Sequence, residues 1–243
     1  MLSKIRLKLR LATKKKFGTN KIRYLLEKHK SSDSLVVVFS GFSKAGEPAR
    51  FNYLRALDKL RINKLFILDD FGWENRGSYY LTGRPGQESL QDEICVLIEK
   101  CRGEKRLFTA GSSKGGSAAI LYGLKCGAEG IIAGAPQYYI GSYLVGEGHT
   151  EILRSICGDS SEAAVQRLNE LLPGVIEKAP AEKTKMYIHC SKMEHTYHEH
   201  VSALLKRLQQ RGFDVQCDLE TYLNHEEVGR YFAKYLRGVL QDV

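Results

Sequence analysis

The residues best spaced for chemistry lie in one string, Leu107-Phe108-Thr109-Ala110-Gly111-Ser112-Ser113-Lys114-Gly115-Gly116-Ser117. Within it, small residues stand two before and two after Ser113, the Gly-x-Ser-x-Gly pattern. That spacing lets a chain fold back sharply between a strand and a helix without side-chain clashes. A serine so placed meets the N-terminus of the helix, where orphan N–H groups and the helix dipole favour developing negative charge. The backbone N–H of Lys114 is then one oxyanion donor, whatever its side chain does. A merely tight strand–helix turn is the bland alternative, since short patterns of common residues recur by chance. Two other glycine-rich explanations fail: the chain has no Gly-x-x-x-x-Gly-Lys-Ser/Thr run and no Gly-x-Gly-x-x-Gly near its first strand.

A serine nucleophile needs a base, and the base needs an orienting acid. Of the seven histidines, His225 follows the last buried strand in Asn224-His225-Glu226, the place expected of the base. The acid is expected after the preceding strand, where Ser191-Lys192-Met193-Glu194-His195 offers Glu194. Glu199 ranks second, and Asp159 and Glu147 are more distant choices. A metal reading of His195, His198 and His200 is disfavoured, because spacings of three and two do not share one helical face. No metal and no cofactor are expected.

These residues need a scaffold, and the hydrophobic pattern supplies one. Short unalternating runs at Leu35–Phe39, Lys64–Leu68, Arg106–Ala110, Ile131–Ala133, Met186–Cys190 and Val215–Leu219 read as strands buried on both faces. Helical patterns fall between them, at 48–60, 88–101, 115–126, 201–210 and 225–240. This alternation predicts an α/β fold with a mostly parallel sheet flanked by helices. The strandless stretch 142–180 reads as a helical cap insertion. At the start, Ile5, Leu7, Leu9 and Leu11 alternate with Arg6, Lys8 and Arg10. That predicts a strand, returning over 21–26 as an N-terminal antiparallel hairpin (residues 4–27), with a basic helix over 20–30 as competitor. No repeat or linker is visible, so a single domain over 1–243 is expected.

Composition narrows the function classes. The net charge of +9 resides in residues 1–30, which carry +10, while the remaining 213 residues carry −1. That segment could meet an anionic surface; its structural alternative is a solvated edge strand whose lysines block edge-to-edge pairing. A nucleic-acid partner is disfavoured, because only Phe17 and Tyr24 interleave the bases. No apolar run approaches a membrane span. The six cysteines show no CxxC or zinc-ribbon spacing, and the N-terminus has no apolar leader. A reduced, cytoplasmic setting is expected, peripheral to the inner membrane face if the basic segment meets lipid.

Ser113 in its elbow, Glu194 and His225 in that chain order resemble the α/β-hydrolase fold. More narrowly, Val38-Phe39-Ser40-Gly41-Phe42, Asp69-Asp70-Phe71-Gly72 leading to Gly77-Ser78-Tyr79-Tyr80, the elbow, and Ala133-Gly134-Ala135-Pro136-Gln137-Tyr138-Tyr139-Ile140-Gly141 resemble a bacterial subgroup. Its members include the accessory-secretion component linked to O-acetylation of adhesin glycans and hydrolase-like modules of capsular polysaccharide biosynthesis proteins. The resemblance implies a second oxyanion donor, the N–H of Phe42, and a glutamate as the triad acid. It implies an esterase or O-acyltransferase acting on a bacterial glycan or polysaccharide, with an acyl donor if a transferase. Trp73, Tyr79, Tyr80, Tyr138 and Tyr139 are then candidate sugar-stacking faces or core aromatics, and Arg76 and Arg84 candidate anion contacts. The competing class is a non-enzymatic hydrolase-like scaffold that binds a glycan or a secretion partner.

Overall fold

The computed structural model describes residues 4–43, 46–81, 89–241 and 243. The elements run α1 (Lys4–Ala12), β1 (Lys15–Phe17), β2 (Ile22–Glu27), β3 (Ser34–Phe39), β4 (Asn63–Ile67), α2 (Ser89–Arg102), β5 (Arg106–Ser112), α3 (Lys114–Lys125) and β6 (Gly130–Gly134). Then follow α4 (Ile140–Gly146), α5 (Thr150–Cys157), α6 (Glu162–Asn169), α7 (Leu171–Lys178), β7 (Lys185–Ser191), α8 (Ser202–Gln210), β8 (Asp214–Glu220) and α9 (Val228–Gln241).

The strands form one sheet in the order β1-β2-β4-β3-β5-β6-β7-β8. β3 to β8 run parallel, and β2 joins antiparallel to β4 and to β1. All six strands read from the sequence are present; β8, expected to be buried on both faces, lies at the edge of the sheet and is exposed or half-buried throughout, whereas the other five are largely buried. Their unalternating runs reflect burial on both faces: in β3, Leu35, Val37 and Phe39 enter one core, while Val36 and Val38 enter the other. The first core lies under α2, α3, α8 and the helices of 140–178, and the second under α1 and α9. Every parallel strand therefore ends at the same sheet edge, the edge where such folds carry their sites.

Two expectations are corrected. Residues 4–12 form a helix, not a strand. Leu7 and Leu11 are four apart and both pack on the second core, while Arg10 reaches Glu27 and Asp58. Leu9, the alternate apolar residue, is left 65% exposed. Four-residue spacing satisfies a helix face even where the string also alternates. The hairpin is thus shorter, with β1 pairing β2 over 15–24, and no basic helix forms over 20–30. Residues 48–60 form turns rather than a helix. Tyr53 adopts φ 59°, which places its hydroxyl against Ser112 and its ring edge-on to Phe232. These tertiary contacts override local helix propensity.

Residues 142–180 are helical, as read. α4 packs on α5 and α6, and α7 lies along α3. No helix among the described residues is long and apolar enough to cross a membrane.

Candidate active site

The turn between β5 and α3 explains its glycines. Ser113 has φ 55° and ψ −128°, and its N–H donates to Gly134 O at 2.7 Å. A Cβ at Gly111 would stand 2.2 Å from Gly115 O, and one at Gly115 would stand 2.6 Å from Phe39 O. Both contacts are backbone, so neither can yield. Lys114 opens α3, and its N–H is among those that a helix leaves without an internal partner.

Three residues meet at the strand ends. Ser113 Oγ lies 2.8 Å from His225 Nε2, and His225 Nδ1 lies 2.9 Å from Glu194 Oε1. His225 opens a short 3-10 turn before α9, held by a capping box between Asn224 and Glu227. Glu194 is fully buried, and Thr196 donates to it through both its hydroxyl and its N–H. Burial alone would raise this carboxyl, but the bonds from His225 and Thr196 outweigh it and hold it below the usual range. An anionic Glu194 on Nδ1 fixes the tautomer with Nε2 free to accept from Ser113.

The other acids lie elsewhere. Glu199 is exposed and stands 4.0 Å from His200 Nε2, away from His225. Asp159 caps the start of α6 through Ser161, and Glu147 pairs with His195 at 3.3 Å. His198 meets the Lys192 carbonyl. His200 is buried, accepts from Tyr139 N at 3.2 Å, and is pushed down to about 4 by desolvation and the neighbouring His195 and His225.

The expected second donor segment lies alongside. Phe42 follows β3, with Gly41 N held by Asn52 Oδ1 at 3.0 Å. Its ring stands edge-on to Tyr79 and near His149. Arg76 reaches the Ser43 carbonyl at 3.4 Å, and with burial it lowers the neighbouring His149. Arg84 lies outside the described residues.

The expected sugar-stacking faces are mostly core. Tyr79, Tyr80 and Tyr138 are 1%, 0% and 3% exposed, so these three offer no ring face to a ligand. Tyr80 instead accepts from Ser40 N and donates to Ile67 O, and Tyr138 packs on Tyr139. Trp73 remains 45% exposed.

Three further residues shape the site without having been singled out in the sequence. Gln137, at the end of the β6 loop and fully buried, donates its amide N–H to Ser113 Oγ at 2.7 Å. Tyr143 of α4 sets its ring 6.5 Å from that of His225, and burial helps push its hydroxyl up to about 12. Asp69, at the end of β4, forms a fully buried ion pair with Lys114 Nζ at 2.5 Å and accepts from Ser78 N and Tyr80 N. A polar residue within three positions of the end of a buried strand is the signal that both Gln137 and Asp69 carried.

No protein-family model and no curated protein matches this chain. Solved structures do. The capsule O-acetyltransferase of Neisseria meningitidis serogroup A, in complex with CoA, superposes with a TM-score of 0.79 at 22% identity, covering 99% of this chain and 100% of that one. The glycosylation-associated Gap123 complex of Streptococcus agalactiae matches with a TM-score of 0.73 at 19% identity, over 94% of this chain and 46% of that one. FphF, a fluorophosphonate-binding serine hydrolase of Staphylococcus aureus, matches with a TM-score of 0.62 at 15% identity over 90% of both. With the strand order and the elbow, these likenesses establish that the chain has the α/β-hydrolase fold.

Proposed function

We propose that this protein is a serine acyl-transfer enzyme that moves a short acyl group, acetyl in the simplest case, to or from a hydroxyl of a bacterial glycan. The observation that carries the reading is the Ser113–His225–Glu194 chain at 2.8 and 2.9 Å on a strained elbow. Ser113 Oγ attacks the carbonyl of the acyl donor as its proton passes to His225 Nε2. The oxyanion accepts from the N–H groups of Lys114 and Phe42, each worth about 3–4 kcal/mol of barrier. When the intermediate collapses, the bond to the leaving oxygen or sulfur breaks and His225 returns the proton to it. A sugar hydroxyl or water then attacks the acyl-serine in the mirror sequence and frees Ser113.

The meningococcal O-acetyltransferase was solved with CoA, which supports a thioester donor here. The streptococcal glycosylation-associated complex supports a glycan acceptor. Tyr143, only 9% exposed and with its ring 6.5 Å from that of His225, favours transfer by limiting water at the acyl-serine. Lys14, Lys15 and Lys16 are exposed along the β1 edge and form the face for an anionic surface. Arg76, beside the Ser43 carbonyl and His149, and the exposed Trp73 are the candidate glycan contacts.

The test is thiol release from acetyl-CoA and phenol release from p-nitrophenyl acetate, each with wild type, Ser113→Ala and His225→Ala. Turnover of either donor that vanishes in both variants supports the reading. A folded wild type inert toward both would favour a glycan-binding scaffold instead.

A further inference from the structure

We infer that Gln137 is a fourth catalytic residue, one whose amide N–H donates to Ser113 Oγ itself and not to the oxyanion. The inference rests on the serine-nucleophile reading above.

Three observations converge on it. The Gln137 side chain is fully buried and its Nε2 stands 2.7 Å from Ser113 Oγ, as close as His225 Nε2 on the other side. The orientation of the amide follows from the serine: Ser113 gives its one proton to His225 Nε2 and can only accept from Gln137, while the Tyr79 hydroxyl faces Oε1 at 3.4 Å and Ser117 Oγ gives its proton to the Gln137 backbone carbonyl at 2.8 Å. Oε1 therefore accepts, and the N–H₂ end is left for Ser113. Finally, the sheet order separates this donor from the oxyanion donors. β3, which carries Phe42, and β6, which carries Gln137, flank β5 on opposite sides. An amide arriving from the β6 side meets the nucleophile oxygen from the flank opposite the Phe42 segment.

The result is one directional chain: Tyr79 O–H to Gln137 Oε1, Gln137 N–H to Ser113 Oγ, Ser113 O–H to His225 Nε2, and His225 N–H to Glu194. In the resting enzyme the amide fixes the serine rotamer toward His225. As His225 takes the proton, negative charge grows on Oγ, and a bond to the charged form favours it. The same bond helps again in deacylation, when Oγ leaves the tetrahedral carbon and recovers its proton from His225. Tyr79 acts only through Gln137 and is a positioning residue.

The experiment measures second-order fluorophosphonate labelling rates across pH 5.5–9 for wild type, Gln137→Met and Gln137→Glu, with thermal denaturation of each. Methionine keeps the volume and removes the donor. Glutamate keeps the shape but, when ionised, presents only acceptors to Oγ. Gln137→Met should label about 10- to 100-fold more slowly than wild type, the loss of one charge-assisted bond. Gln137→Glu should lose more at high pH, and its rate relative to wild type should climb as pH falls and the introduced acid becomes a donor. A merely structural role would not produce that pH-dependent ratio. Gln137 variants that label within threefold of a reactive wild type, with flat pH ratios, would overturn this inference alone. A folded wild type that never labels would overturn the serine-nucleophile reading, and this inference with it.

Discussion

Replacing Lys114 by methionine tests whether the pair beside the nucleophile holds the elbow to the loop after β4. Lys114 and Asp69 are both fully buried and stand 2.5 Å apart. Burial lowers the lysine, and Asp69 opposes that shift. Methionine preserves most of the stem volume, so the lost quantity is chiefly the charge. Asp69 would keep its bonds from Ser78 N and Tyr80 N but lose its only cation within bonding distance among the described residues. Removing one partner of a buried pair costs about 3–5 kcal/mol. Against a total stability of about 5–15 kcal/mol, that is a large share. For a chain of this size it corresponds to a Tm lower by roughly 6–20 °C. Replacing both partners, as Asp69→Asn with Lys114→Met, removes the orphaned charge, so the double variant should lose clearly less than the sum of the singles. Urea and thermal denaturation of the four proteins complete the cycle. A Lys114→Met variant within about 1 kcal/mol of wild type, or a cycle additive to within about 0.5 kcal/mol, would refute the reasoning. The elbow should suffer with the fold: Tyr80, tethered to Asp69, also holds Ser40 N beside the Phe42 segment.

Three more outcomes are expected. Gly115→Ala forces a Cβ to 2.6 Å from Phe39 O, so its Tm should fall by roughly 2–12 °C and Ser113 labelling should drop, as thermal denaturation and labelling would read. His200 is pushed down to about 4, whereas the unfolded residue titrates near 6.5. The unfolded chain therefore takes up the proton first, and about 3 kcal/mol of stability should be lost as pH falls from 6.5 to 4; His200→Gln should flatten that slope in pH-dependent urea titrations. Glu194 is held below the usual carboxylate range, so its contribution is present above that range and lost as pH falls through its depressed value. Glu194→Gln should accordingly cost most stability near neutral pH and least in acid, and should lower p-nitrophenyl acetate turnover, while Glu199→Gln leaves both near wild type.

The sheet was legible because strands buried on both faces carry their signature locally, as in Leu35–Phe39. The meeting of Ser113, Glu194 and His225 was legible because parallel strands end at one edge, so residues just past them converge. What was illegible depends on contacts made from a distance. The spacing of Leu7 and Leu11 fits a helix face within a string that also alternates, and only the pairing of Arg10 with Glu27 and Asp58 decides it. Tyr53 leaves helical geometry to reach Ser112 and Phe232. Tyr79, Tyr80 and Tyr138 sit on loops at the catalytic edge, yet those loops fold inward and bury the rings. Gln137 gains its meaning only from an oxygen 24 positions earlier in the chain.

The account stands most directly on whether Ser113 is an activated nucleophile. Wild type and Ser113→Ala should be treated with a fluorophosphonate, weighed intact, and digested to map the adduct. The account predicts a single stoichiometric adduct on the peptide containing Ser113, absent from the variant. A folded wild type that gains no mass, or one whose adduct persists in Ser113→Ala, would contradict it.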